Sequence, residues 1–363
     1  MNGKPNGKIP VFVFLGPTAA GKTAFLFDLF AKGHALVPAE VISADSMQVY
    51  RGMDIGTAKP DRAARAALPH HLIDLCDPDE QFNAGAFVRL ADTCCAEIDA
   101  KGMLPVVAGG SGFYLKNFIQ GLPDSPPGDE VIRQQLKREC EAGGMDALYA
   151  ELQRGDPASR IHRNDVYRVI RALEIMRLSH KPLSAFEAAN QEQNEARLQR
   201  YDFLVVALTR NRADLYARIN ARVDRMFEQG LPDEVRALFA KGWTPDDSGM
   251  RAIGYREFFV ATGDHGDNGE HGAGGPSPGD CREKSHPCWA FTSDIEGARA
   301  MIKQNSRHYA KRQETFFRGM AIEPARRFII DADGGAADRT HNEDRVKASI
   351  RALVHDFWDT HHA

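Results

Sequence analysis

The stretch VFVFLGPTAAGKTAFLFDLF, residues 11–30, decides the fold. Val11–Leu15 is a short apolar run of strand type, and Thr23–Phe30 carries helical spacing. Between them GPTAAGKT satisfies the pattern G-x-x-x-x-G-K-[ST], with a strand before it and a helix after it, as a phosphate loop requires. In such a loop backbone N–H groups wrap phosphate oxygens, and the helix N-terminus adds partial positive charge. The candidate binding residues are therefore Gly16, Pro17, Thr18, Ala19, Ala20, Gly21, Lys22 and Thr23, with Lys22 meeting an anionic oxygen and Thr23 able to hold Mg2+. The pattern indicates a pyrophosphate-bearing ligand and leaves its identity open.

Working outward, EVISAD near residue 44 and LPVVAGG (Leu104–Gly110) read as further strands, separated by the helical AGAFVRLADTCCAEIDAKG. Strand alternating with helix predicts a parallel sheet covered on both faces, an α/β core of the P-loop NTPase type. GLPDSPPGDE (Gly121–Glu130) is a Pro/Gly-rich break, after which the pattern turns helical and charged until YDFLVVAL (Tyr201–Leu208) returns as a buried strand. The expected organisation is thus a first core part over 1–122, a helical insertion over 123–198, a second core part over 199–333, and a linker and helix over 334–363. LYARINARVDRMFEQG and PDEVRALFAKG read as two helices, each closed by a glycine. Residues 263–288, rich in Gly, Pro, Asp and His, contain nothing to bury and are expected to form a flexible loop. The spacing of His271, Cys281, His286 and Cys288 matches no zinc pattern.

Composition narrows the class. The 363 residues suit about two domains, with 43% hydrophobic and 26% charged residues. No apolar run approaches the roughly 18 residues of a membrane span. The polar start MNGKPNGKIP lacks a signal-peptide core, and six scattered cysteines outline no disulfide framework. A cytoplasmic monomer is the expectation. The net charge of −4 means that any nucleic-acid contact must come from local basic patches.

A nucleotide-hydrolysing protein of this type is expected to carry a second strand ending in a metal-supporting acid. The LPVVAGG strand ends in Gly109-Gly110-Ser111 instead, and the strand-terminal acid is Asp45 of VISADSMQVYRGMDIGTAKP. Asp45 is expected at the end of the strand next to the phosphate-loop strand, where α/β sheets form their ligand crevice. Metal support and proton transfer are both open to it.

GPTAAGKT, SADSMQVYRGMDIGTAKP, PHHLID, VVAGGSGFYL, RAIGYRE and RHYAKRQETFFRG stand together in this order. On these blocks the chain resembles the tRNA dimethylallyltransferases (tRNA isopentenyltransferases), bacterial type, from about Ile9 to about Gly319 with the Gly-rich loop left out. The resemblance implies transfer of a five-carbon allyl group from dimethylallyl diphosphate to the exocyclic amine of the adenosine 3′ of the anticodon, giving N6-(dimethylallyl)adenosine. The loop would then hold the diphosphate leaving group, helped by Mg2+ at Thr23 and by Arg218 in LYARI. Asp45 matches the general base, which the poorly nucleophilic adenine amine needs. Ser46, Met47 and Gln48 match positions lining the flipped base, and Ser111 a position touching RNA at the channel mouth.

The same resemblance implies tRNA contacts at Arg133, at Tyr167, Arg168 and Arg171, at Arg251, Gly254, Tyr255 and Arg256, and at Lys311, Arg312, Gln313 and Arg318. Independently of it, eight Lys/Arg stand against two Glu between Arg299 and Arg327. Arg299, Lys303, Arg307 and Lys311 recur every fourth residue, which puts them within about a third of a helix circumference. Tyr309, Phe316 and Phe317 are interleaved, as RNA contacts often require. Two other classes share the phosphate loop, a P-loop small-molecule kinase and a non-catalytic RNA-binding module. A kinase would show an Arg-rich lid and an acidic strand end for Mg2+; a non-catalytic module would show a damaged loop, whereas Gly16, Gly21, Lys22, Thr23 and Asp45 are intact.

Overall fold

The computed structural model describes residues 7–122, 125–262, 288–320, 326–332 and 339–362, with only the backbone described for 190–193 and 339–343. By packing, the chain divides into two units, Met1–Asn117 with Tyr201–Ala363, and Phe118–Arg200.

In the first unit the elements run β1 (Ile9–Leu15), α1 (Lys22–Phe30), β2 (Ala39–Ala44), α2 (Arg62–Ala67), β3 (His70–His71), α3 (Ala84–Ala100) and β4 (Leu104–Gly109). Helix α4 (Gly112–Gln120) runs on into the second unit, which comprises α5 (Glu130–Glu139), a π-helical turn (Cys140–Gly144), α6 (Met145–Gly155), α7 (Val166–Ser179) and α8 (Leu183–Arg200). The first unit then resumes with β5 (Tyr201–Thr209), α9 (Arg212–Glu228), α10 (Leu231–Ala240), a 3-10 turn (Arg256–Phe258), β6 (Phe259–Thr262), β7 (Cys288–Phe291), α11 (Ile295–Gly319), β8 (Arg326–Asp331) and α12 (Arg339–His362).

The sheet is six-stranded in the order β3-β2-β4-β1-β5-β8, and every pairing is parallel. Its central strands are buried along both faces, so they read as continuous apolar runs rather than alternating ones. Successive side chains still point to opposite faces. Phe12 and Phe14 of β1, Val106 of β4 and Val206 of β5 enter one core with Phe25 and Leu29 of α1 and Val346, Ile350, Val354 and Phe357 of α12. Helix α3 packs on β1, β2 and β4. The C-terminal helix, expected within 334–363, forms one wall of the main core.

Two expectations are corrected. Strand β2 does not adjoin β1, because β4 lies between them, pairing Ile42 with Val107 and Val13 with the same residue from the other side. The carboxyl ends of β1 and β2 thus lie two strand spacings apart, roughly 10 Å, with β4 between them. Cys288, assigned to the flexible loop, is a strand residue paired with Thr262. The remainder of that loop, with His271, Cys281 and His286, lies outside the described residues. Among the described residues no group of three or more His, Cys, Asp or Glu could hold a metal ion, and no helix is long and apolar enough to cross a membrane.

The second unit has its own core, built from Leu136 of α5, Leu148 and Leu152 of α6, and Val169, Ile170, Ala172 and Leu173 of α7. Asp129 caps α5 by accepting from Ile132 N–H, and Asp165 caps α7 by accepting from Arg168 N–H.

Candidate active site

Four parallel strands deliver their carboxyl ends to one edge: β1 opens into Gly16–Thr23, β2 into Asp45, β4 into Gly110-Ser111, and β5 into Arg210. This is the edge at which α/β sheets bind ligands. The loop passes through left-handed backbone at Ala19 (φ 61°) and Gly21 (φ 103°) before α1 begins at Lys22.

Lys22 Nζ donates to Gly16 O at 2.7 Å and Pro17 O at 2.8 Å, folding back on its own loop. Its pKa is lowered to about 7, first by desolvation and then by the Arg222 guanidinium, with Asp45 acting in the opposite direction. A neutral amine retains two N–H bonds, enough for both carbonyls. Two arginines brace the loop from outside. Arg218 Nε donates to Ala19 O at 3.1 Å, and Arg210 Nε to Ala20 O at 2.8 Å. Thr23 is exposed in the first turn of α1.

Asp45 closes a short turn in which its Oδ1 accepts from Met47 N–H at 2.9 Å and Gln48 N–H at 3.4 Å. No described residue forms a hydrogen bond to Oδ2. Ser46 N–H donates to Ser111 Oγ at 2.9 Å, so the ends of β2 and β4 are tied together beside the carboxylate. Gln48 donates to Thr57 O and accepts from Ser43 Oγ, which directs its amide into the protein.

These residues open onto a cavity of about 290 Å³ lined by Thr18, Asp45, Ser46, Met47, Thr57, Arg222, Tyr309 and Arg312, with an apolar wall of Ile219, Val223, Met226, Ile253 and Ile302. The arginines Arg222, Arg251, Arg256 and Arg312 share this lining with the hydrocarbon. Arg222 was missed in the sequence although it lies one helical turn beyond Arg218. Its pKa is lowered by burial, with Asp45 opposing, and it donates to Thr57 O at 3.4 Å. Its place in the sequence makes Tyr309 an interleaved aromatic of the RNA face. It sits in the cavity instead, its hydroxyl pushed up to about 12 by burial and by the Asp45 charge.

The expected RNA contacts fall into distinct environments. Lys311, Arg312 and Arg318 are exposed, and Phe316 stands beside Gly112 with Lys311 and Arg312 along an open surface hollow. Arg251 and Arg256 are exposed on the segment lining the cavity. In the second unit Tyr167 is 79% exposed and Arg168 is exposed beside Asp165, whereas Arg133 and Arg171 both bind the fully buried Glu174, at 3.0 and 2.7 Å.

Other expected contacts point inward. Tyr255 is fully buried and donates to Glu234, Gly254 (φ 100°) donates its N–H to Glu257, and Phe317 is buried. Gln313 is buried between the phosphate loop and β4. The every-fourth-residue stripe is corrected in the same sense. Arg299 lies over the Phe227 ring, Lys303 pairs with Asp224 at 2.6 Å, and Arg307 donates to Asn220 at 2.7 Å, so three of its four members fasten α11 to α9. Regular spacing identified a helix face but not what covers it.

A family model for IPP transferase matches residues 48–320. The tRNA dimethylallyltransferase of Geobacter sulfurreducens is 38% identical over 88% of this chain and 92% of its own length, and that of Symbiobacterium thermophilum is 38% identical over 97% of each. Among solved structures, the full-length tRNA isopentenylpyrophosphate transferase of Bacillus halodurans is 34% identical, with a TM-score of 0.58 over 98% of this chain and 100% of that one. A eukaryotic dimethylallyltransferase acting on tRNA is 25% identical, with a TM-score of 0.64 over 95% of this chain and 77% of that one. With the phosphate loop, the carboxylate and the cavity on one sheet edge, and with these matches along nearly its whole length, the chain belongs to the IPP transferase family.

Proposed function

We propose that this chain is a tRNA prenyltransferase that moves a dimethylallyl group from dimethylallyl diphosphate to the exocyclic amine of the adenosine 3′ of the anticodon. Membership of a family whose relatives are named for tRNA dimethylallyl transfer supports the reaction class and the RNA substrate. The observation that carries the assignment of roles is the cavity itself: Asp45, whose Oδ2 has no hydrogen-bond partner among the described residues, lines it together with Arg222 and the apolar Ile219, Val223, Met226 and Ile302, and Lys22 feels the charges of both Arg222 and Asp45.

In the reaction the amine nitrogen bonds to the first allyl carbon as the bond from that carbon to diphosphate oxygen breaks. The electron pair of the broken bond leaves with the diphosphate, and the amine proton passes to Asp45 Oδ2. Lys22, Arg222 and the loop amides meet the growing negative charge, in a recess where such interactions are strong. Arg218, which holds the loop through Ala19 O, adds a further positive charge beside the diphosphate. The wall of Ile219, Val223, Met226 and Ile302 suits a five-carbon chain and excludes water from it.

The donor set fits Mg2+ of the kind held mainly by substrate. Thr23 offers one hydroxyl at the loop's end, and no cluster of acids stands among the described residues to hold the ion without diphosphate. Bound there, Mg2+ would supply charge neutralisation at the diphosphate. Incubation with unmodified tRNA and either labelled dimethylallyl diphosphate or labelled ATP tests the reading. Allyl label should enter the RNA, and consumption of ATP without it would establish the kinase alternative.

A further inference from the structure

Gln313 is 6% exposed, although its sequence neighbours Lys311 and Arg312 are open to solvent. Its Oε1 accepts from Thr18 N–H at 2.9 Å and its Nε2 donates to Gly110 O at 2.8 Å. An amide N–H can only donate and a carbonyl can only accept, so the two partners fix the orientation of the side chain. The fit is close: a Cβ on Gly110 would overlap the Gln313 nitrogen.

The three elements joined here have separate duties. Thr18 belongs to the phosphate loop, and Gly110 precedes Ser111, whose hydroxyl holds Ser46 beside Asp45. Helix α11 presents Lys311, Arg312 and Arg318 outward. We propose that Gln313 is a positioning residue that couples RNA binding on α11 to the set of the phosphate loop and of the Asp45 turn. The proposal rests on the tRNA prenyltransferase reading. It assigns Gln313 a role inside the protein, in place of the RNA contact implied by its place in the KRQETFFR block. A helix drawn toward phosphates by its basic face would carry the Gln313 amide with it, and both hydrogen bonds would transmit the shift. Misplacement of reacting groups by about 1 Å can lower a rate by roughly 100-fold.

Leucine at this position keeps the volume and removes both hydrogen bonds. Glutamate when ionised accepts from Thr18 but repels Gly110 O, and when protonated it restores both bonds. The test uses the full-length protein, an unmodified anticodon stem-loop RNA, and isopentyl diphosphate, a saturated and unreactive probe of the loop. The dissociation constant of each ligand is measured alone and with the other bound, alongside kcat, KM and Tm. In the wild type, RNA should tighten diphosphate binding by about tenfold, within the usual range of coupling. Gln313→Leu should bring that factor to about one and lower kcat by at least tenfold, with RNA affinity within about threefold of wild type. Should that variant not fold, Gln313→Glu decides: its activity relative to wild type should climb as the pH falls into the carboxyl range. Absence of coupling in the wild type would overturn the proposal, as would coupling retained in Gln313→Leu or a Gln313→Glu ratio that is flat with pH. Loss of RNA affinity with coupling intact would make Gln313 an RNA contact. Wild type that couples the two ligands but transfers no allyl group would refute the reaction and leave the role of Gln313 standing.

Discussion

The Tyr255 hydroxyl donates to Glu234 Oε1 at 2.6 Å, and the same carboxylate accepts the backbone N–H groups of Asp54, Ile55 and Gly56 at 3.1, 2.8 and 3.3 Å. The DIGTAKP segment is thereby held against α10, with the Tyr255 ring so close to Gly56 that no Cβ fits between them. Thr57, the next residue, lines the cavity and receives Arg222. Tyr255→Phe removes one hydrogen bond to a charged group and is expected to lower stability by about 1–2 kcal/mol, read as a lower denaturation midpoint. RNA affinity should stay within twofold. A large fall in RNA affinity at unchanged stability would make Tyr255 an RNA contact.

Lys22 provides a pH signature. With its pKa near 7 in the ligand-free protein, it is mostly neutral at about pH 8, and a bound diphosphate returns it toward the usual lysine value. Binding therefore takes up a proton, so affinity should weaken as pH rises above about 7. Titration calorimetry of isopentyl diphosphate in buffers of different ionisation enthalpy should detect uptake of close to one proton at about pH 8. Lys22→Met should abolish it. Arg222→Gln removes a charge that depresses the Lys22 pKa and should reduce the uptake. Equal heats in all buffers would place the titration elsewhere.

The basic face of α11 divides into two groups. Neutralising Lys311, Arg312 or Arg318 should weaken tRNA binding and flatten its salt dependence by roughly one unit of slope for each lost phosphate contact. Lys303→Ala and Arg307→Ala break contacts to Asp224 and Asn220 on α9, so they should lower stability and leave the slope unchanged. The reverse pattern would restore the stripe read from the sequence.

Glu174 of the second unit holds Arg133 and Arg171 and accepts Asp129 N–H at 2.7 Å. Glu174→Gln retains the shape but removes the charge that orients both guanidiniums. Expected outcomes are a loss of about 1–3 kcal/mol in stability and an RNA dissociation constant raised about tenfold, with the diphosphate constant unchanged. An unchanged RNA constant would limit Glu174 to holding its own unit together.

The sequence carried the parallel core because its signals are local: an apolar strand, a loop of fixed spacing, and a helix. Asp45 was legible as a strand-terminal acid. The place of β2 was not, since strand order depends on which crossover packs where, and β4 inserted itself between β1 and β2. Arg222, Tyr309 and Gln313 act across 177 to 295 residues of chain, and no local pattern distinguishes a side chain that feels the Asp45 charge or binds Thr18 from a solvated one. Charge spacing on α11 failed for the same reason: periodicity gives a face, and only packing against α9 says what meets it.

The proposed reaction requires Asp45 Oδ2 to take the proton of an RNA amine. The most direct measurement is a single-turnover transfer of labelled dimethylallyl from its diphosphate to an anticodon stem-loop, comparing wild type with Asp45→Asn at saturating Mg2+ and both substrates. The wild type should place label in the RNA, and the variant should do so roughly 100- to 10,000-fold more slowly with RNA affinity little changed. Near-normal transfer by Asp45→Asn, or activity lost only through a raised diphosphate KM at limiting Mg2+, would contradict the assignment and make Asp45 a metal support.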